Sequence, residues 1–156
     1  MTEQTLADLE RRLQRLEDKD AITTLLNRYC NFADNHRWDD YASCFLEDGV
    51  VKFDDWEDVV GREKIVTLIS TAENRFQGQQ HSLTNIELSL DGDIASGTCY
   101  LWFAATLDTS TPHEHHSFGG PYEFTFRRTK AGWRIATVKL RKIWAQNPDT
   151  EGVFGA

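Results

Sequence analysis

The sequence predicts an α+β domain, a cone-shaped, curved antiparallel sheet with helices packed on its concave side. Three observations point there. The first half of the chain carries apolar residues at helical spacing, and from residue 79 onward the pattern is mostly that of strands. The segments "DGD" (91–93) and "TKAG" (129–132) fall between strand-like runs and read as hairpin turns. Helices followed by an antiparallel meander is the order expected when helices cover one face of a sheet.

The elements follow in turn. Residues 5 to about 17 place Leu6, Leu9, Leu13 and Leu16 on one narrow stripe, an amphipathic helix docked on the core or on a neighbouring subunit. A second helix is predicted in "KDAITTLLNRYCNFADNH", where Ile22, Leu25, Leu26, Tyr29 and Ala33 keep the period and Cys30 and Asp34 continue one edge. A short third helix fits "RWDDYASCF". "GVVKFDD" reads as a strand, and "GREKIVTLISTAENRF" as a helix with Ile65, Leu68 and Ile69 on one face. "QHSLTNIELSL", "ASGTCYLWFAATLD", "GGPYEFTFRR" and "WRIATVKLRKIW" complete the sheet. The 156 residues form one domain, with a core at about 18–146, an N-terminal helix at 1–17 and a C-terminal tail at 147–156.

Composition excludes several classes of function. Seventeen Lys and Arg against 25 Asp and Glu give a net charge of −8, the wrong sign for a nucleic-acid partner. No apolar run approaches membrane-spanning length, and the charged N-terminus lacks a signal peptide's apolar segment, so no membrane partner and a cytoplasmic location are expected. Cys30, Cys44 and Cys99 are odd in number and widely spaced, and are expected to be free, buried thiols.

A helix-closed cone has one open mouth, and ligand sites favour such apolar concavities. Tyr29, Phe32, Trp102, Phe103, Tyr122 and Trp144 are candidates for its lining, although any one of them also suits plain core. Two polar residues interrupt the apolar pattern: Asp34 at the end of the second helix and His81 early in the first long strand. A carboxylate beside a histidine sets its tautomer and stabilises its protonated form, and without a serine or cysteine nucleophile the pair suits proton abstraction from carbon. A solvated helix end and an ordinary strand histidine explain the same pattern. "HEHH" (His113–His116) is weighed as a metal site, but Pro112, Ser117 and Gly119–Gly120 mark it as a loop; no metal and no cofactor are expected. Arg141, on the last strand, is a candidate for binding a substrate oxygen.

From residue 18 to 146, the order "AITTLLNRYCNFADNHRWDDYASCFLEDGVV", "GREKI", "QHSLTNIELSLDGDIASGTCYLWF" and "GWRIATVKLRKIW" resembles the SnoaL-like branch of the nuclear-transport-factor-2-like superfamily. It is most similar to scytalone dehydratases and hexachlorocyclohexane dehydrochlorinases. The resemblance implies that His81 is a general base and Asp34 its orienting carboxylate. It further implies a homo-oligomer, trimer or dimer, and a cofactor-independent lyase or isomerase for a small apolar, cyclic substrate. Two positions depart from those relatives: Tyr29 stands where the dehydrochlorinases have a lysine, and Ala33 where the dehydratases have a tyrosine. Other members of the superfamily leave further readings open. These are a non-catalytic ligand-binding or structural subunit like the small subunits of ring-hydroxylating dioxygenases, a polyketide cyclase, or an epoxide hydrolase using Asn85 and Asn31.

Overall fold

The computed structural model describes residues 2–54 and 56–149. Helix α1 runs unbroken from Glu3 to Asp34, where the periodicity predicts two helices. No proline or glycine occurs in this stretch, so the polar "EDKD" segment shifts the apolar face without breaking the helix. The first part of α1 stands clear of the body: Leu6, Leu9, Leu13 and Leu16 are all exposed. The second part buries Ile22, Leu25, Leu26, Tyr29, Cys30 and Ala33. Helix α2 (Trp38–Ser43) and helix α3 (Arg62–Glu73) complete the helical layer. No helix among the described residues is long and apolar enough to cross a membrane.

The strands are β1 (Phe45–Phe53), β2 (Val59–Val60), β3 (Gly78–Asp91), β4 (Ile94–Thr106), β5 (His115–Thr129), β6 (Gly132–Leu140) and β7 (Trp144–Gln146). They form one sheet in the order β2-β1-β6-β5-β4-β3, with β7 paired to β5. The meander β3–β6 is antiparallel as predicted, closed by a tight turn at Gly92 (φ 59°) and by the Thr129–Gly132 turn. The sheet as a whole is mixed, however, because β1 runs parallel to β6. Parallel neighbours need a long crossover, and α3 and strands β3–β5 lie between these two. A bulge between Thr84 and Glu87 interrupts the β3–β4 register, with Asn85 in a left-handed conformation (φ 56°). Such bulges bend the strand and add to the curvature of the sheet.

Alternation along the strands sends Ala95, Cys99, Leu101, Phe103 and Ala105 of β4 inward. Tyr122, Phe124 and Phe126 of β5 join them, and these side chains meet α1 and α3 in one continuous core. At about 25 cal/mol per Å² of apolar area, this burial is the main term holding the helices to the sheet. A second device fixes α1. Asp18, 7% exposed, accepts both Arg128 Nη1 and Nη2 at 2.7 Å and Trp133 Nε1 at 3.0 Å. The Arg128 hydrogen bonds, against the opposing cost of burial, hold the Asp18 carboxyl at about 2, below its ordinary 3.8. Gly120 answers a different need. The segment after β6 crosses so close that any Cβ at Gly120 would overlap the Arg141 carbonyl.

Two outcomes are expected. Asp18→Asn should lose roughly 1–3 kcal/mol in urea denaturation at neutral pH, the cost of a buried network left incomplete. A carboxylate with a depressed pKa stabilises the fold above its unfolded value, so this contribution should fade in the wild type as pH falls from 3.8 to about 2. It should be missing from the variant throughout. Gly120→Ala should cost about 1–3 kcal/mol by overpacking, read as a lower Tm.

Candidate active site

Asp34 is the last residue of α1, and the helix dipole disfavours negative charge at that end. Its carboxylate is held there by three hydrogen bonds from one residue. The backbone N–H of His81 donates to both oxygens at 3.0 Å, and His81 Nδ1 meets Oδ1 at 2.6 Å. The His81 side chain is only 7% exposed, and its ring lies against Phe103, with centroids 4.7 Å apart. Register explains that contact: His81 pairs directly with Phe103 across β3–β4, so both face the helices. With Nδ1 committed to Asp34, the Nε2 atom is the one left for chemistry. Burial opposes a charged imidazole, but the Asp34 hydrogen bond and the nearby charges of Glu73 and Asp34 prevail and raise the His81 pKa above 6.5.

The structure adds a third member that the sequence reading missed. Glu73, the last residue of α3, is 3% exposed, and its Oε1 lies 3.8 Å from His81 Nε2. Gln79 Nε2 donates to Glu73 Oε2 at 2.7 Å and to the Ala33 carbonyl at 2.8 Å. Burial raises the pKa of Glu73, only partly offset by His81 and Gln79. A signal for Glu73 was present: Ile65, Ile69 and Glu73 are spaced by four residues, which puts the carboxylate on the buried face of α3.

A cluster of phenols lies on the same interior side. Tyr29, Tyr41 and Tyr122 are each 2% exposed, and the hydroxyls of Tyr29 and Tyr122 are 3.4 Å apart. Burial pushes all three phenols well above their ordinary range, with neighbouring charges adding to it. The thiols behave alike: burial pushes Cys44 and Cys99 up to about 12 and Cys30 further, so none is a thiolate at neutral pH.

Several predicted lining residues lie elsewhere. Trp102 is 59% exposed, because period two sends it to the face opposite Phe103 and His81. The Trp144 ring packs on Trp102 over Gly119, on that same outer face. Phe32 lies two residues from Asp34, hence about 200° round the helix, with its half-buried ring under the Arg37 guanidinium. Arg141 falls just beyond β6 rather than on a strand, and it is exposed. Asn85 and Asn31 are exposed too, the former on the bulge. "HEHH" is only partly a loop: His115 and His116 open β5, and His116 Nδ1 lies 2.6 Å from the Asn147 carbonyl oxygen. The predicted tail beyond residue 149 lies outside the described residues.

A model of the SnoaL-like domain matches residues 14–139, most of the chain. The chain belongs to the SnoaL-like domain family. An uncharacterized protein of Mycobacterium tuberculosis is 29% identical over 121 residues, covering 77% of this chain and 82% of the relative. Among solved structures, an NTF2-like protein with a cystatin-like fold from Novosphingobium aromaticivorans shares 27% identity at a TM-score of 0.73, covering 88% of this chain and 90% of that one. A hexachlorocyclohexane dehydrochlorinase from Novosphingobium barchaimii superposes at a TM-score of 0.75 with 18% identity, over 86% of this chain and 92% of its own. At that identity the likeness shows the fold alone, one shared with lyase-type enzymes. The SnoaL-like chain thus has the NTF2-like architecture, with Asp34, Glu73 and His81 where α1, α3 and β3 converge.

Asp34→Asn should lower the His81 titration midpoint, followed through imidazole Cε1 resonances. A raised histidine pKa stabilises the fold fully below 6.5 and loses that contribution as pH rises through the folded value. The stability gap between wild type and Asp34→Asn should therefore be widest in mildly acidic solution and narrow as pH rises.

Proposed function

We propose that this SnoaL-like protein is a cofactor-independent lyase or isomerase for a small, apolar, cyclic substrate. His81 Nε2 takes a proton from carbon, and Asp34 orients the ring and stabilises the imidazolium. The observation that carries this reading is the Asp34–His81 contact itself. The Nδ1–Asp34 hydrogen bond holds the Nδ1–H tautomer and directs the Nε2 lone pair away from Asp34, while the backbone N–H of His81 fixes the carboxylate. The His81 side chain is buried and Asp34 mostly so, which limits the water that competes for that lone pair or screens the charge that develops. The adjoining Phe103 and Phe118 rings, 5.0 Å apart, suit an apolar ring, and Tyr122 and Tyr29 supply hydroxyls for an oxygen on it. The fold is shared with a dehydrochlorinase, which supports elimination as the reaction type.

The test uses cyclic ketones and β-hydroxy ketones in D2O, with NMR following deuterium uptake next to the carbonyl and loss of water. The wild type should catalyse at least one of these, and His81→Ala should reduce the rate about 10²–10⁴-fold, the range for a positioned acid–base group. A His81→Ala variant that folds and keeps the wild-type rate would sink the reading.

A further inference from the structure

Glu73 is buried too deeply for an unmet charge to be tolerated cheaply. Its two oxygens are treated differently. Oε2 is tied by Gln79, whose amide nitrogen also binds the Ala33 carbonyl, next to Asp34. Oε1 has no hydrogen bond among the described residues and faces the imidazole nitrogen that Asp34 leaves unused. Strand β3 brings this about by sending Gln79 and His81, two residues apart, to the same face. Each then secures the end of one helix, Glu73 of α3 and Asp34 of α1.

We propose that Glu73 is the second proton carrier of the site, sharing one proton with His81, and that the substrate is a β-hydroxy carbonyl compound whose hydroxyl leaves as water with that proton. The inference rests on the lyase reading and deepens it. In the resting form Asp34 is ionised, Nδ1 of His81 carries its hydrogen, and the shared proton lies on Glu73 Oε1. The lone pair of Nε2 takes the proton from the carbon beside the carbonyl. The C–H electrons form the C=C bond, the C–O bond breaks with its pair going to oxygen, and the Glu73 proton completes the water molecule. This leaves imidazolium facing carboxylate; closing the 3.8 Å gap to hydrogen-bond distance lets the Nε2 proton pass to Oε1 and restores both groups with no net proton gained or lost. Carriers only 3.8 Å apart reach one face of a bound ring, so in this proposal hydrogen and hydroxyl depart from the same face. A halide leaves without needing a proton, so the presence of Glu73 favours an oxygen leaving group over a halogen.

The groups acting electrostatically with Glu73 are Cys30 and Asp34 of α1, His36 just beyond it, Tyr41 of α2, His81 of β3 and Tyr122 of β5. Burial favours the neutral acid at Glu73, while the imidazole favours its anion. Titrations of the pair therefore belong to both residues together.

The test has two arms. In the first, wild-type protein carrying 13C at Glu Cδ and His Cε1 is titrated by NMR. Glu73 and His81 should move in common steps, and Glu73→Gln should lower the His81 midpoint by about one pH unit. A Glu73 that titrates alone near its ordinary 4.5, or a His81 midpoint unmoved in the variant, overturns the proposal. Should Glu73→Gln fail to fold, the wild-type titration and Glu73→Asp, which draws the carboxylate back by one methylene, decide in its place. In the second arm, Glu73→Gln should slow dehydration of 3-hydroxycyclohexanone about 10²-fold or more, a larger factor than the one by which it slows deuterium exchange into cyclohexanone. Dehydration at the wild-type rate overturns the proposal. Coupled titrations in a wild type that turns over neither probe would count against the lyase reading while upholding the shared proton.

Discussion

A negative charge at the C-terminal end of a long helix is the constraint on which the rest of this structure turns. Asp34 works against the dipole of α1, and β3 offsets this with two donors from His81, its backbone N–H and Nδ1. That requirement fixes how far α1 reaches across the sheet and at what angle His81 stands. Sixteen residues earlier, roughly 24 Å along the axis, Asp18 is clamped by Arg128 and Trp133. The helix is therefore pinned by a carboxylate at each end of its buried segment, and the apolar side chains between fill the space that remains.

The same logic runs through the interior. Polar groups near His81 are tied to one another: Asp34 to the histidine, Glu73 Oε2 to the Gln79 amide nitrogen, and that nitrogen to a helix carbonyl, while Gln79 Oε1 is buried without a hydrogen-bond partner. Low polarity around them strengthens each contact and makes an unpaired member costly. A protein that needed only a stable fold would be better served by apolar residues of similar volume. Two carboxylates flanking one imidazole are what the proposed proton transfer draws on.

The boundary between inner and outer surfaces rests on strand register. Phe103 and Trp102 are neighbours in sequence, yet one packs on His81 and the other on Trp144 across the sheet. Pairing of His81 with Phe103 settles both, since a slip of one residue would reverse every side chain on β4. Aromatic character cannot make that distinction. Tryptophan, phenylalanine and tyrosine suit a core, a pocket wall and an outer face alike.

The sequence by itself determined the α+β class, the antiparallel meander and its two tight turns, and it marked Asp34 and His81 as polar interruptions, which the family resemblance paired. Each of these is written in local spacing: periods of 3.6 and 2, glycine at a turn, a polar residue interrupting an apolar stripe. It also contained the fourfold spacing of Ile65, Ile69 and Glu73, a signal that carries weight only once the buried face of α3 is known. Tertiary structure decided what depends on residues far apart in the chain. It joined two predicted helices into one, laid β1 parallel to β6, and sent Trp102, Trp144, Phe32 and Arg141 away from the site. It also brought Glu73 to the free nitrogen of His81. Which side chains face a common interior is set by the packing of the helices on the sheet, and no local pattern records it.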